Sequence, residues 1–354
     1  MLNSLQAIRS FAALMVVAFH LSELLRYSID NSMPVFSIGL GLLDVFFVMS
    51  GFVLYHITRD REPPGVFLLK RLARLVPFYW ILTTAAVVVT FITPWFFLGA
   101  NLTPEYVFTS YAFVPFPNTN GVIKPLLFVG WTLNYEILYI VIYSLTLYLP
   151  KPKRVPALTL IIGGVWLIGA LMEPANRIVG FYGRPFLLEL LLGCYLAILA
   201  RRPVVERFAK ATPMWILFVA GIVGATILSP MAFGTRNIWA YLLMVPASLI
   251  VMSGALQDMY RTPLKRNLFS IYADSGYSVY LIHPFVIEFV GIVTFKVLEP
   301  TWFAGAIITV LVFAGVMIIS PFSLRYLELP SNNLVRDRIP WILRTPRAPR
   351  SAGE

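Results

Sequence analysis

The sequence predicts an all-α, polytopic integral membrane protein with ten transmembrane helices and both termini in the cytoplasm. Of its 354 residues, 58% are hydrophobic and 13% charged, where an ordinary soluble domain has about 25% charged residues. Apolar runs long enough to cross a hydrocarbon core of roughly 30 Å recur along the chain, leaving no room for a separate soluble domain. The connections between them are alternately rich and poor in Lys and Arg, which fixes the orientation. A net charge of +11 could also mark nucleic-acid binding, but the cations sit in short clusters between apolar runs. That pattern belongs to a protein whose partner is the lipid bilayer, with no nucleic acid. Cys194 is the single cysteine, so no intramolecular disulfide or cysteine metal cluster can form.

The predicted spans cover residues 5–25, 35–57, 76–98, 126–149, 156–172, 181–200, 213–230, 237–256, 277–298 and 303–324. Breaks fall at Pro63-Pro64-Gly65, Pro150-Lys151-Pro152, Glu173-Pro174, Arg202-Pro203 and Pro230. The first run is too long for the core of a cleavable signal and has no Lys or Arg before it. Basic clusters lie at Arg59, Arg61, Lys70, Arg71 and Arg74, at Lys151, Lys153 and Arg154, and at Arg201, Arg202, Arg207 and Lys210. They continue at Arg261, Lys265 and Arg266, and at Arg325, Arg336, Arg338, Arg344, Arg347 and Arg350. The opposite side holds only Arg26, Lys124, Arg177, Arg184, Arg236 and Lys296. A ten-helix domain over 1–330 is therefore expected, followed by a basic, proline-containing cytoplasmic tail, 331–354, expected to be disordered. The longest extracytoplasmic connection, 99–125, is rich in aromatics, proline and asparagine, a composition suited to interfacial anchoring and to stacking on sugar rings.

Chemistry concentrates on a few polar residues inside the spans. Arg9 and His20 are eleven residues apart, so on a helix they share one face within about 20° and stand roughly 16 Å apart along it. Charge inside a bilayer costs roughly 2.5 to 3.5 kcal/mol at a helix centre and normally faces a protein interior or a wet cavity. Asp44 on the second span, Glu136 on the fourth, Glu189 on the sixth and His283 on the ninth are further such groups, and the depths of Asp44, Glu136 and His20 overlap. Each alone could be a structural interhelical hydrogen bonder; their coincidence in depth suggests a site. Arg71 and Arg74 in KRLARLVPFYW lie three apart on one face at the membrane boundary. A pair of arginines there can hold phosphate by charge-assisted, bidentate bonds. No metal-ligand spacing and no phosphate-cradling glycine loop is present, so neither a metal nor nucleotide hydrolysis is implied.

At these residues the chain resembles the acyltransferase 3 family, integral membrane O-acyltransferases of bacterial exopolysaccharide, O-antigen and Nod factor. LQAIRSFAALMVVAFH is similar to the family's opening arginine, ten residues and histidine, on Arg9 and His20. LDVFFVMSGFVL resembles its second signature, with Asp44, Ser50 and Gly51; RLARLVPFYW resembles its Arg-x-x-Arg element, on Arg71 and Arg74. WTLNYEILYIV resembles the segment carrying a functional glutamate, on Glu136, YSVYLIHPF the late histidine segment, on His283, and YLELP, with Glu328, the end of the last helix. The first five of these, in order on matching spans, make the likeness specific, and it leans toward the stand-alone exopolysaccharide acetyltransferases.

The resemblance implies a bacterial inner-membrane enzyme that binds no cofactor and uses acyl-CoA, with acetyl-CoA the first expectation, as co-substrate. Arg71, Arg74 and Arg9 would hold the donor's phosphates. His20 would act as general base or transient nucleophile, with Asp44 or Glu136 orienting it, and Ser50, Tyr139, His283 and Glu189 would line the site. The acceptor would be a carbohydrate or lipid-linked glycan. Some members append a hydrolase-like domain that completes transfer; without one the chain would act alone or hand the acyl group to a separate protein, and the polysaccharide-export machinery is a further expected partner. The alternative from another class is a transporter or flippase for a polar or lipid-linked sugar, since buried Arg, His, Asp and Glu also line transport paths.

Overall fold

The computed structural model describes residues 2–59, 62–94, 96–97, 100, 102–173, 175–232, 238–262, 272 and 274–337. Arg61, Pro174, Arg236, Lys265, Arg266 and everything from Arg338 onward, including most of the expected tail, lie outside the described residues. Among the described residues the chain is helical, and the only β pairing is an isolated bridge between Pro117 and Ile123. The helices are α1 (Asn3–Ser28), α2 (Ile38–Ile57), α3 (Pro64–Ile92), α4 (Pro104–Tyr111), α5 (Trp131–Thr146), α6 (Lys151–Met172), α7 (Arg177–Phe181) and α8 (Phe186–Leu199). They continue with α9 (Pro203–Ala211), α10 (Trp215–Ala232), α11 (Ile238–Leu242), α12 (Met244–Tyr260), α13 (Gly276–Val297), α14 (Trp302–Ser323) and α15 (Leu329–Asp337). Ten segments of these are long and apolar enough to span a bilayer.

Several boundaries differ from the sequence expectation for local reasons. Proline is tolerated in a first helical turn, where no intrahelical N–H bond is lost. Pro64 therefore begins α3 twelve residues before its apolar run, and Lys70, Arg71 and Arg74 stand on the spanning helix itself, not on a connection. Likewise α6 starts at Lys151, with Pro152 in its first turn. The sixth and eighth spans are each broken, into α7 and α8 and into α11 and α12. After α14 a π-helical turn, Leu324–Glu328, leads directly into α15. Residues 331–337, expected as the start of the tail, thus continue the last helix.

The α1–α2 pair is the spine. Its residues contribute to both apolar cores: Ala13, Val16, Val17, Leu43 and Phe47 to one with α3, α5, α8 and α13, and Leu5, Ile8, Ala12, Val45 and Val48 to another with α8 and α12. By contrast α6 and α10 are peripheral, with 22% of their spanning windows buried. The tightest approach of the spine to a neighbouring helix is between α2 and α8. A Cβ placed on Gly51 would stand 1.8 Å from the carbonyl oxygen of Leu190, and one on Gly193 would stand 2.2 Å from that of Val48. Backbone cannot yield as a side chain can, so Gly51→Ala should cost about 1–3 kcal/mol by overpacking. The expected result is a reduced folded fraction of detergent-extracted protein on size-exclusion chromatography, with Gly65→Ala, where no atom lies within 4 Å, as the silent control.

Candidate active site

A cavity of about 130 Å³ opens between α1, α2, α3, α5 and α13. Arg9, Arg71, Arg74 and Glu136 reach its wall, with Ser50, Thr132, Tyr277 and Tyr280 beside them. Ser50 and Glu136 meet directly, the Ser50 hydroxyl donating to Glu136 Oε1 at 3.3 Å. Glu136 also interacts electrostatically with Arg9, Arg74 and Arg71. Yet none of the three guanidinium groups comes within 4.0 Å of a carboxylate among the described residues. Three cations thus face the cavity against one carboxylate, with their hydrogen-bond donors not consumed by internal ion pairs. Such a wall suits an anionic ligand.

Arg74 also lines a second, larger hollow of about 800 Å³ at the end of the bundle where the chain begins and α15 lies, with Lys70, Asp274, Glu328, Asn332, Asn333 and Arg336 around it. One arginine is therefore common to an open vestibule and to the inner cavity. Glu328 is delivered there by the π turn after α14; it accepts a 2.6 Å hydrogen bond from the Ser278 hydroxyl of α13 and interacts with Arg9 and Arg74. π turns of this kind recur at functional sites because they shift a side chain off the helical register.

From the inner cavity an aromatic series leads to His20. The Tyr280 hydroxyl bonds Thr132 Oγ1 at 2.9 Å and the Val129 carbonyl at 2.8 Å, and the Tyr280 ring lies 5.9 Å from that of His283. His283 in turn stacks on His20, centroids 5.3 Å apart and planes at 21°. Pro284 follows His283 and has no N–H to offer the Tyr280 carbonyl one turn back, which loosens α13 where these two rings emerge. His283 is fully buried, and its Nε2 has no hydrogen-bond partner among the described residues. His20 itself is partly open, with 19% of its side chain exposed. Phe128, at the start of the turn that opens α5, sets its edge against the His20 ring at 5.1 Å.

Of the residues expected at the site, Arg9, Ser50, Arg71, Arg74 and Glu136 line one cavity, and His20 and His283 stack above it. Two expectations change. The carboxylate on His20 is Glu23, whose Oε2 lies 3.0 Å from His20 Nδ1, in place of Asp44 or Glu136. Asp44 is six residues from Ser50, which on a helix separates them by about 120°. It therefore leaves the cavity face and is buried on the side that meets α8, where it interacts with Glu189. Tyr139 also belongs to that seam, donating to the Leu190 carbonyl at 3.1 Å and touching Cys194 Sγ at 2.8 Å. Glu23 was within reach of sequence reasoning, since i and i+3 positions on a helix are neighbours. Tyr280 and Phe128 carry no such signal, because aromatic residues in an apolar span read first as packing.

With Nδ1 held by a carboxylate, the His20 ring can offer Nε2 as a base or nucleophile, and the cationic cavity can hold an anionic co-substrate. Known proteins point to acyl transfer. The family described as an acyltransferase domain, acyltransferase 3, matches residues 2–321. The exopolysaccharide production protein ExoZ of Rhizobium meliloti (strain 1021) is 29% identical over 259 residues, covering 72% of this chain and 79% of that protein. The acyltransferase MdmB of Streptomyces mycarofaciens is 24% identical over 322 residues, covering 81% and 79%. No solved structure matches. With a family match over nearly the whole chain and ten helices long and apolar enough to span a bilayer, the chain belongs to the acyltransferase 3 family and is a multi-pass membrane acyltransferase.

Proposed function

We propose that this protein moves an acyl group, acetyl in the first instance, from cytoplasmic acyl-CoA to a hydroxyl of an exported or surface polysaccharide or its lipid-linked precursor, in the bacterial inner membrane. The observation that carries this is Arg74, shared between the vestibule and the inner cavity. On the orientation that the basic clusters indicate, the vestibule opens to the cytoplasm, and His20 lies toward the opposite surface. The donor's phosphates bind at Arg71 and Arg74, and its pantetheine arm runs inward past Arg9 and Glu136 toward Tyr280. The name of the ExoZ relative supports a polysaccharide acceptor.

As general base, His20 Nε2 takes the proton of the acceptor hydroxyl as that oxygen attacks the thioester carbonyl. The C–S bond breaks, the new ester keeps the acyl group, and the proton on His20 passes to the departing CoA thiolate. As nucleophile, His20 Nε2 attacks the thioester carbonyl, the C–S bond breaks and CoA leaves as the thiol with the imidazole's proton; the acceptor hydroxyl then attacks the acyl-imidazole, the N–C bond breaks, and the hydroxyl proton returns to His20. Glu23 on Nδ1 serves both routes by fixing which nitrogen faces the substrate.

The direct test is mass spectrometry of surface glycans from a strain lacking the gene, paired with transfer of labelled acetyl from acetyl-CoA by the nanodisc-embedded protein. Loss of glycan acetylation, restored on complementation, is expected. Retained acetylation with unexported glycan accumulating would instead identify a transporter. Glu23→Gln keeps the side-chain volume and removes the charge. It should lower kcat about five- to tenfold, the difference between a charge-assisted and a neutral hydrogen bond, with the KM for acetyl-CoA unchanged.

A further inference from the structure

The extracytoplasmic connection before α5 is a built structure, not a loose link. Asn118 Oδ1 accepts from the backbone N–H groups of Asn120 and Val122, at 3.0 and 2.9 Å, and Gly121 turns the chain at φ 71°. The segment that follows is pinned from beneath. The Tyr106 hydroxyl donates to the Lys124 carbonyl at 2.9 Å, the Leu126 N–H donates to Ser110 Oγ at 2.9 Å, and the Tyr79 hydroxyl donates to the Ser110 carbonyl at 3.0 Å. Tyr79, Tyr106 and Ser110 are buried, so the backbone on both sides of Pro125 is held by the protein interior. The side chain so positioned is that of Lys124. Its Nζ stands 5.6 Å from the centre of the Phe128 ring, and that ring stands 5.1 Å from His20. The two separations sum to a little under 11 Å, the greatest distance the ammonium can be from the imidazole centre.

Nothing about topology calls for this cation. Orientation is favoured by excess Lys and Arg on the other side, and a lysine here opposes it. Its ring contact is worth about 0.5–1 kcal/mol at a partly open site, and no carboxylate among the described residues lies within 4.0 Å of it. Glu23, the carboxylate nearest in sequence to His20, is engaged by His20 itself. A half-buried lysine whose backbone is held from beneath, whose ammonium lies within about 11 Å of the partly open imidazole and which has no carboxylate within 4.0 Å among the described residues, is a recognition element for a negative group on whatever approaches from that side.

We propose that Lys124 binds an anionic group of the acceptor next to the hydroxyl that is acylated, so that the preferred acceptor is an anionic glycan. The negative charge is either a sugar carboxylate or the phosphate of a lipid-linked precursor; both offer the oxygen acceptors an ammonium needs. This rests on His20 as the transfer centre, and it adds which acceptors reach it. The donor does not touch Lys124, because its phosphates bind at the other end of the inner cavity.

The test uses the full chain in nanodiscs and two matched pairs of probes from the host's own polymer. One is an acidic oligosaccharide and its carboxyl-reduced form; the other is a polyprenyl-diphosphate-linked oligosaccharide and the same sugar released by mild acid. Acceptor affinity is measured by equilibrium binding, separately from transfer of labelled acetyl. Lys124→Ala should weaken the anionic acceptor about ten- to hundredfold, Lys124→Arg should restore most of it, and the KM for acetyl-CoA should not change. Removing the responsible charge from the probe should erase the difference between wild type and Lys124→Ala. Erasure in the carboxyl pair identifies the sugar acid, and erasure in the diphosphate pair identifies the lipid-linked phosphate. Wild-type affinity in Lys124→Ala, or a loss equal for charged and uncharged probes, overturns the proposal. Absent transfer by the wild type would overturn the transfer reading, while the binding series would still decide Lys124.

Discussion

His20→Ala should leave the protein in the membrane at wild-type abundance and still able to bind acetyl-CoA, with acyl transfer reduced by about 10² to 10⁴, the usual worth of a positioned base. The separation of abundance from activity follows from the surroundings of the ring. Besides Glu23 its contacts are the rings of Phe19, Phe128 and His283, and alanine makes α1 more apolar, so insertion is not impaired. The carboxylate left behind, Glu23, is 45% exposed, so it is rehydrated at little cost and does not destabilise the fold. Donor affinity should hold because the arginines lie along the cavity and not at His20. Purified variant protein, assayed for labelled acetyl transfer and for acetyl-CoA binding on the same preparation, decides the matter. Near wild-type transfer would make His20 an interhelical contact and remove the site from this part of the bundle.

Replacing Arg71 and Arg74 together by alanine should raise the KM for acetyl-CoA at least about a hundredfold, since each charge-assisted bond to phosphate is worth about 1.5–3 kcal/mol and every 1.4 kcal/mol is tenfold. At saturating donor, kcat should be largely retained, because neither residue stands near the imidazole. Lysine at both positions keeps the charge but not the planar fork, and should recover part of the affinity. Arg74 should matter more than Arg71, because it alone lines both the vestibule and the inner cavity. The competing explanation is that the pair serves only orientation. It predicts unchanged donor affinity in detergent and a shifted topology, which cysteine labelling near Asn118 would expose.

The sequence by itself determined what a bilayer demands locally. Ten apolar spans, the basic clusters between them and the polar residues that interrupt them are one-dimensional properties, because each spanning helix satisfies its own backbone bonds and each buried charge stands out against its neighbours. Arg9, Arg71, Arg74, Glu136, His20 and His283 stood out as candidates for that reason, whereas Ser50 was marked only by the resemblance of its segment to the family's second signature. What only the tertiary structure decided is which of those groups face one another. Helices α1, α2, α3, α5 and α13 come together around a single cavity, while Asp44 and Glu189, equally conspicuous in the sequence, turn to the α2–α8 seam where Gly51 and Gly193 let two backbones touch. The rotation of one helix against the next is set by side-chain packing across the whole bundle, and depth along each span carries no information about it. For the same reason the carboxylate on His20 proved to be Glu23, one turn away on its own helix, and Lys124, within about 11 Å of it, is placed by hydrogen bonds from its segment to Tyr106 and Ser110 of α4, which Tyr79 of α3 anchors in turn.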